Sequence, residues 1–371
     1  MRVPIIDLRV QYKRLRPEID RAVAAVAERQ QFILGPEVDA LEEKIADYCG
    51  APFAVGVSSG SDALLIALMA LGISPGDEVV TTPFTFFATG GAIARLGARP
   101  VFADIEADSF NIDPEKVKSA LGAKTKALIP VHLFGRCSRM EPLLKLAEER
   151  GLSVVEDAAQ AIGARSPLGA AGAMADVGCL SFFPTKNLGA FGDAGMVLVK
   201  DEKLYRRLRN LRVHGSAAQY TYEELGGNFR IDTLQAAILL VKMNYLEEWT
   251  ASRVERARSY HSLLEEAGLA GGPIRAPEIP EKEHVFHQYV VRAERRDGLR
   301  EFLKEREIQT GVYYPLPLHL HACFAHLGYS EADFPESERA SREVLALPMY
   351  PELERSAQEY VVQAMSDFYG R

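Results

Sequence analysis

The sequence predicts an α/β protein, with a mostly parallel sheet covered by helices on both faces, followed by a smaller α+β C-terminal domain. Through the first half, short apolar runs of strand length alternate with amphipathic helical stretches. The runs are rich in β-branched residues and almost continuously hydrophobic, as in strands buried on both faces. The length of 371 residues also exceeds the ~250–300 residues at which one core stops growing, so a second domain is expected.

Taken in order, Ile19, Val23 and Val26 share one helical face within Leu15–Gln31, as do Val38, Leu41 and Ile45 within Glu37–Tyr48. Strands are expected at Phe53–Val57, Glu78–Thr81, Pro100–Asp104, Ala127–Val131 and Leu152–Glu156, with helices between them. Right-handed crossovers between such strands place ligands at their carboxyl ends. Near Asn228 the texture changes. Ile231–Glu248 reads as one long helix after a Gly-Gly turn, and a charged helix follows around Ser252–Glu266. A Gly/Pro-rich passage from Gly268 to Pro280 leads to a strand in HQYVVRA and a helix near Leu299–Arg306. Then come the Pro-rich YYPLPLHLHACF and two terminal helices separated by LPMYPEL. The expected division is an N-terminal arm over 1–14, a large domain over 15–250 and a small domain over 251–371.

Composition narrows the function. With 43 basic and 51 acidic residues, a formal charge of −8, the chain is expected to bind neither nucleic acid nor membrane. The basic run Arg206–Arg212 alternates with leucines at helical spacing and reads as a solvated helix face. Cys49, Cys137, Cys179 and Cys323 contain no C-x-x-C pair and read as buried, reduced thiols. The N-terminus lacks a long apolar h-region, so the expected location is cytoplasmic.

Three segments carry chemistry. Ser58-Ser59-Gly60-Ser61-Asp62 follows a strand and opens a helix, where free N–H groups and the helix dipole attract a phosphate; the same residues also make ordinary helix caps. In Val154-Val155-Glu156-Asp157-Ala158-Ala159-Gln160, Asp157 ends a buried strand and needs a cation or several donors. Lys186, in Ser181-Phe182-Phe183-Pro184-Thr185-Lys186-Asn187-Leu188-Gly189, lies in an apolar setting that lowers an amine's pKa towards nucleophilic use. Singly, Asp157 or Lys186 reads as half of an ion pair or a surface lysine. Together with the phosphate-ready turn they point away from that reading.

On these motifs, with QQFILGPEVDALEEKIADYCG, GGNFRIDTLQAAIL, YYPLPLHLH and LALPMYPEL, the chain resembles the DegT/DnrJ/EryC1/StrS family of pyridoxal-phosphate-dependent nucleotide-sugar aminotransferases along nearly its whole length. The resemblance implies a type I aminotransferase fold and a homodimer with shared active sites. Lys186 would be the Schiff-base lysine, Asp157 the partner of the pyridine nitrogen, Gln160 a donor to the ring hydroxyl and Phe86 a stacking ring. Gly60, Ser61 and Ser181 would hold the cofactor phosphate, with Asn228 reaching it from the neighbouring subunit.

Relatives that aminate sugar C4 usually carry histidine where this chain has Phe183, so the resemblance implies C3 chemistry. The implied substrate is a UDP-linked 2-acetamido-3-keto-glucuronate, used in cell-surface polysaccharide biosynthesis, with glutamate as amino donor and Arg230 and Tyr314 as sugar contacts. Tyr313 departs from those relatives, which carry histidine there, and leaves a dTDP-linked 3-keto-6-deoxyhexose as the alternative. His319 is a further candidate sugar contact. His319 and His321 alternate like metal ligands, but the flanking prolines argue for a loop and no third ligand is near, so no metal is expected. A non-catalytic regulatory protein and a sugar dehydratase are the competing readings. Lys186 argues against both, because the dehydratases replace that lysine with histidine.

Overall fold

The computed structural model describes residues 1–218 and 220–370. Seven strands form the main sheet: β1 Phe53–Val57, β2 Glu78–Thr81, β3 Arg99–Phe102, β4 Thr125–Ile129, β5 Ser153–Asp157, β6 Val177–Ser181 and β7 Gly195–Val199. Their spatial order is β1-β7-β6-β5-β4-β2-β3, and only β7 runs antiparallel to its neighbours. The strand expected to run on to Val131 ends at Ile129, but Val131 still bridges Asp157, so pairing persists to the carboxyl edge.

Side chains leave the sheet alternately, which explains the continuous hydrophobicity. Val154, Leu180, Met196 and Leu198 face a cluster that includes Leu41 and Ile45 of α2 (Pro36–Cys49), Val117 of α5 (Pro114–Ala120) and Leu143 of α6 (Met140–Arg150). Val155, Cys179, Val197 and Val199 face the opposite cluster. There they meet Leu64 and Ile66 of α3 (Gly60–Ala70), Ile93 of α4 (Phe87–Arg95) and Leu208 of α7 (Glu202–Leu211). Each fully buried Val, Leu or Ile stabilises the fold by about 1.5–3 kcal/mol. The architecture is the expected α/β sheet with both faces covered.

The first helix, α1, spans Leu8–Arg29 and so begins within the expected arm; Asp7 caps it by accepting from the Arg9 N–H. The single helix expected over Ile231–Glu248 is instead two, α8 (Thr233–Met243) and α9 (Leu246–Glu266). Tight turns from Asn244 N–H to the Val241 carbonyl and from Tyr245 N–H to the Lys242 carbonyl close α8. The Asn244 amide oxygen there accepts from Lys44 (2.6 Å). Asparagine favours such breaks because its side chain finds partners outside the helix. α9 then runs without interruption through residue 250.

A separate hydrophobic cluster joins the later part of α9 to α10 (Arg296–Glu305), α12 (Arg355–Tyr369) and an antiparallel sheet of β8 (Ile274–Arg275), β9 (Tyr289–Ala293) and β10 (Val344–Leu347), with α11 (Pro335–Glu343) packed on β9. Val3 completes it. Two expectations are corrected here. Cys323 is exposed on the short helical turn Ala322–Leu327, outside both cores. Arg212 is buried rather than solvated, because its guanidinium closes on Glu42 and the Gly56 carbonyl. No helix among the described residues is long and apolar enough to cross a membrane.

Candidate active site

The carboxyl ends of β5 and β6 and the start of α3 converge on a cavity of about 520 Å³. Nine of the residues singled out in the sequence line it: Gly60, Ser61, Phe86, Asp157, Gln160, Ser181, Lys186, Tyr313 and Tyr314. They come from both halves of the chain.

At one end lies the start of α3. Ser59 caps the helix by accepting from the Asp62 N–H (3.0 Å), and the Asp62 carboxylate accepts from the Ser58 and Ser59 hydroxyls (2.7 and 3.0 Å). These bonds fix the turn and leave the first N–H groups of the helix, which have no intrahelical acceptors, for an anion. Gly60 is dictated by a close approach: a Cβ there would lie 2.6 Å from Ser181 Cβ.

Asp157 sits deeper, at the last position of β5. Oδ2 accepts from Thr89 Oγ1 (2.8 Å) and Oδ1 from the Ala159 N–H (3.2 Å). Burial raises its pKa, and these bonds, with the charge of Lys186, offset the rise only in part. Among the described residues no basic side chain forms an ion pair with it. Lys186 follows β6 on a loop, and its ammonium has no hydrogen-bond or ion-pair partner among the described residues. Burial lowers its pKa to about 8, and nearby Asp157 opposes the shift. A buried acid without its cation and an amine near neutrality face one cavity.

A profile of the DegT/DnrJ/EryC1/StrS aminotransferase family matches residues 13–366. The chain belongs to that family. A "Pleiotropic regulatory protein" of Geobacillus stearothermophilus is 51% identical, covering 100% of this chain and 99% of its own. The dTDP-3-amino-3,4,6-trideoxy-alpha-D-glucose transaminase of Streptomyces venezuelae is 43% identical (100% and 97% covered). The UDP-2-acetamido-2-deoxy-3-oxo-D-glucuronate aminotransferase of Pseudomonas aeruginosa is 38% identical (98% and 100% covered). Among solved structures, S. venezuelae DesV in complex with a ketimine intermediate superposes with a TM-score of 0.96 at 42% identity, covering 100% of this chain and 99% of that one. Bacillus subtilis NtdA with bound cofactor PMP gives 0.92 at 31% identity, covering 100% and 86%. The protein is a sugar aminotransferase of the type I fold, and pyridoxal 5′-phosphate is its cofactor.

In this aminotransferase the remaining cavity wall is made by rings and amides. Gln160 accepts from the Phe134 N–H (2.6 Å), which turns its Nε2 towards the Tyr314 hydroxyl (3.3 Å). The half-exposed Phe86 ring lies 6.2 Å from that of Tyr314, and Phe183 also lines the cavity. Sequence reading missed Thr85, Thr89, His287 and Gln288. Thr85 and Thr89 flank the first turn of α4 in PFTFFAT, and their spacing of four was the available signal; His287 and Gln288 gave none apart from preceding a strand.

Three predicted residues lie outside the cavity. Asn228 and Arg230 line a separate polar pocket of about 410 Å³, which shares Asp193 with the first. His319 is 2% exposed, packs on Phe334 and contacts Glu338 through Nε2 (3.2 Å). Its place as a sugar contact is therefore corrected: the short helical turn Leu318–Leu320 carries its ring into a local aromatic cluster.

Proposed function

We propose that this aminotransferase transfers an amino group from glutamate to C3 of a UDP-linked 2-acetamido-3-keto-glucuronate. The observation that carries the choice of a uronate is the Arg230 guanidinium: it makes no hydrogen bond or ion pair among the described residues, and its Nε is buried without a partner. A free guanidinium in the pocket that Asn228 also lines favours a carboxylate, which it can hold in a bidentate pair. C3 is favoured by the apolar Phe183 wall and by the names of the Streptomyces and Pseudomonas relatives, each a 3-position sugar. The higher identity to the Streptomyces enzyme favours the second reading, a dTDP-linked 3-keto-6-deoxyhexose. A regulatory role without catalysis, as in the Geobacillus relative's name, leaves Lys186 and Asp157 unexplained.

Bound pyridoxal phosphate supplies an aldehyde that exchanges amino groups and a ring that draws electrons from the carbon losing its proton. The residues present fit it. The start of α3, with the Ser61 and Ser181 hydroxyls, would hold the phosphate, and the tight contact at Gly60 keeps the backbone close to it. Asp157, a buried carboxylate without a cation, would gain one in the protonated ring nitrogen. Gln160 Nε2 would donate to the ring oxygen, and Phe86 would cover the ring. Lys186 Nζ, its pKa lowered by burial to about 8, would take the proton from the donor's Cα and deliver it across the transferred nitrogen to the carbon of the cofactor's aldehyde group. Asn228, outside this chain's own cavity, would reach the phosphate of a second copy, making the active unit a homodimer. The exposed Ile33, Phe183 and Phe191 near these pockets favour such a partner.

The test is turnover with glutamate and a panel of 3-keto and 4-keto sugar nucleotides, followed by mass spectrometry. The uronate should outrun the 6-deoxy sugar by about one to two decades, the worth of a buried charged hydrogen bond. Arg230→Met should narrow that gap. Amination of a 4-keto sugar would end the C3 reading, and preference for the 6-deoxy sugar would end the role of Arg230.

A further inference from the structure

Asn187, the residue after Lys186, is buried, and its amide orientation is set by two contacts. Nδ2 donates to the Val285 carbonyl (3.3 Å), which turns Oδ1 towards His287, 3.3 Å from Nδ1. An amide oxygen only accepts, so Nδ1 carries the ring proton. A neutral imidazole has one N–H, and Nε2 is then a bare acceptor.

The ring stays neutral. Burial holds its pKa well below the usual histidine value, and the charges of Lys186, Arg253 and His284 act in the same direction. The backbone beneath the ring is also fixed, because Arg253 of α9 donates to the Phe286 and His287 carbonyls (3.2 and 3.3 Å). His287 lines the same cavity as Lys186, and its Nε2 has no partner among the described residues. An acceptor in so enclosed a place is expected to be satisfied by a donor within the cavity.

We propose that His287, fixed by Asn187 as its Nδ1–H tautomer, is a positioning residue for Lys186, its Nε2 accepting an N–H of the ε-amino group whenever that amine is free. The inference rests on Lys186 being the lysine linked to the cofactor. Holding one N–H fixes the direction of the amine's lone pair, and on the ammonium the same bond lessens the cost of the charge. Asp157 is the acid whose charge acts on the lysine, and Asp193, Tyr313 and Tyr314 line the same cavity, so the amine's titration reports His287 together with these groups.

The tautomer is read directly from ¹⁵N NMR of histidine-labelled holoenzyme at neutral pH: Nδ1 of His287 should carry the proton, and Asn187→Leu should abolish that preference. In His287→Leu, kcat of the amino-donor half-reaction should fall about tenfold with donor KM little changed. The limb of its pH profile that reports the lysine should move about one unit lower, because the ammonium has lost an acceptor. His287→Gln, whose amide oxygen can replace Nε2, should restore most of both. Should His287→Leu not fold, Asn187→Leu must show the same shift. A proton on Nε2, or an unmoved profile in a folded His287→Leu or Asn187→Leu enzyme, overturns the proposal. Borohydride reduction of the holoenzyme followed by peptide mapping separates the two layers: a label away from Lys186 removes both readings, and a label on Lys186 with an unmoved profile removes only the role of His287.

Discussion

Thr89 Oγ1 donates to Asp157 Oδ2 over 2.8 Å, tying the first turn of α4 to the carboxyl end of β5. The hydroxyl has one proton and spends it on the carboxylate, so in the 3.0 Å contact between Thr85 and Thr89 the donor is Thr85. The two threonines form a relay that favours the charged form of Asp157 against the effect of its burial. Thr89→Val preserves shape and removes the donor. It should raise the Asp157 pKa further and weaken cofactor retention and kcat by about tenfold or more, the usual worth of a hydrogen bond to a charge. Cofactor affinity measured by absorbance titration checks this. Thr89→Ser should stay close to wild type, and an equal loss in both variants would show that packing, not the proton, matters.

Gly60 and Ser181 make a second pair that can be tested. A methyl at Gly60 would meet Ser181 Cβ at 2.6 Å and Oγ at 2.9 Å, so the helix start must shift away from β6. Gly60→Ala should lower stability by about 1–3 kcal/mol, the typical cost of overpacking. It should also loosen cofactor binding. Adding Ser181→Gly removes the clashing atoms and should restore the melting temperature while leaving binding weak, since the hydroxyl is gone. Failure of the double variant to recover stability would place the strain elsewhere.

The parallel sheet was legible because β-branched runs repeat along the chain, and Gly60 and Asp157 follow two of them; the strand before Lys186, Val177–Ser181, was not read as one, since it holds a glycine and a single β-branched residue. The break at Asn244 was not legible: the apolar spacing continues through it, and only the tertiary partner Lys44 reveals where the helix stops. Likewise His319 could not be assigned from its spacing with His321, because its place is set by Glu338, 19 positions later, and by the Phe334 ring. His287 escaped notice for the same reason. Its role depends on Asn187, 100 positions away in sequence.

Lys242 of α8 offers a pH-dependent test of the loop that carries Lys186. Its buried ammonium donates to the Gly189 carbonyl (2.6 Å) and lies 5.0 Å from the centre of the Phe191 ring, with no acid paired to it among the described residues. Burial lowers its pKa to about 8. A lysine depressed in the folded state costs stability while both states are protonated. That cost is relieved as pH rises from about 8 towards the unfolded value. Lys242→Met should therefore equal or exceed wild-type stability at pH 7, with the advantage shrinking above pH 8, while cofactor affinity falls because the loop has lost its anchor. Urea denaturation at pH 7 and pH 9.5 measures the first effect. A variant less stable at pH 7 than at pH 9.5, relative to wild type, would mean that the Gly189 bond outweighs the burial of the charge.

Asn228 lies with Ser58 in the polar pocket, outside the cavity that Gly60 and Ser61 line. If a second copy's phosphate is what it reaches, an active site joins Lys186 of one chain to Asn228 of the other. Co-expressing Lys186→Ala and Asn228→Asp chains would then put both lesions into one site of each mixed dimer and leave the other site whole. With random pairing, half the dimers are mixed and each holds one intact site, so activity should recover to about a quarter of wild type. Each parent alone should be nearly inactive, the first for want of the amine and the second because a carboxylate would repel the phosphate. Recovery no greater than the sum of the parents, with mixed dimers confirmed by native mass spectrometry, would show that each site is completed within a single chain.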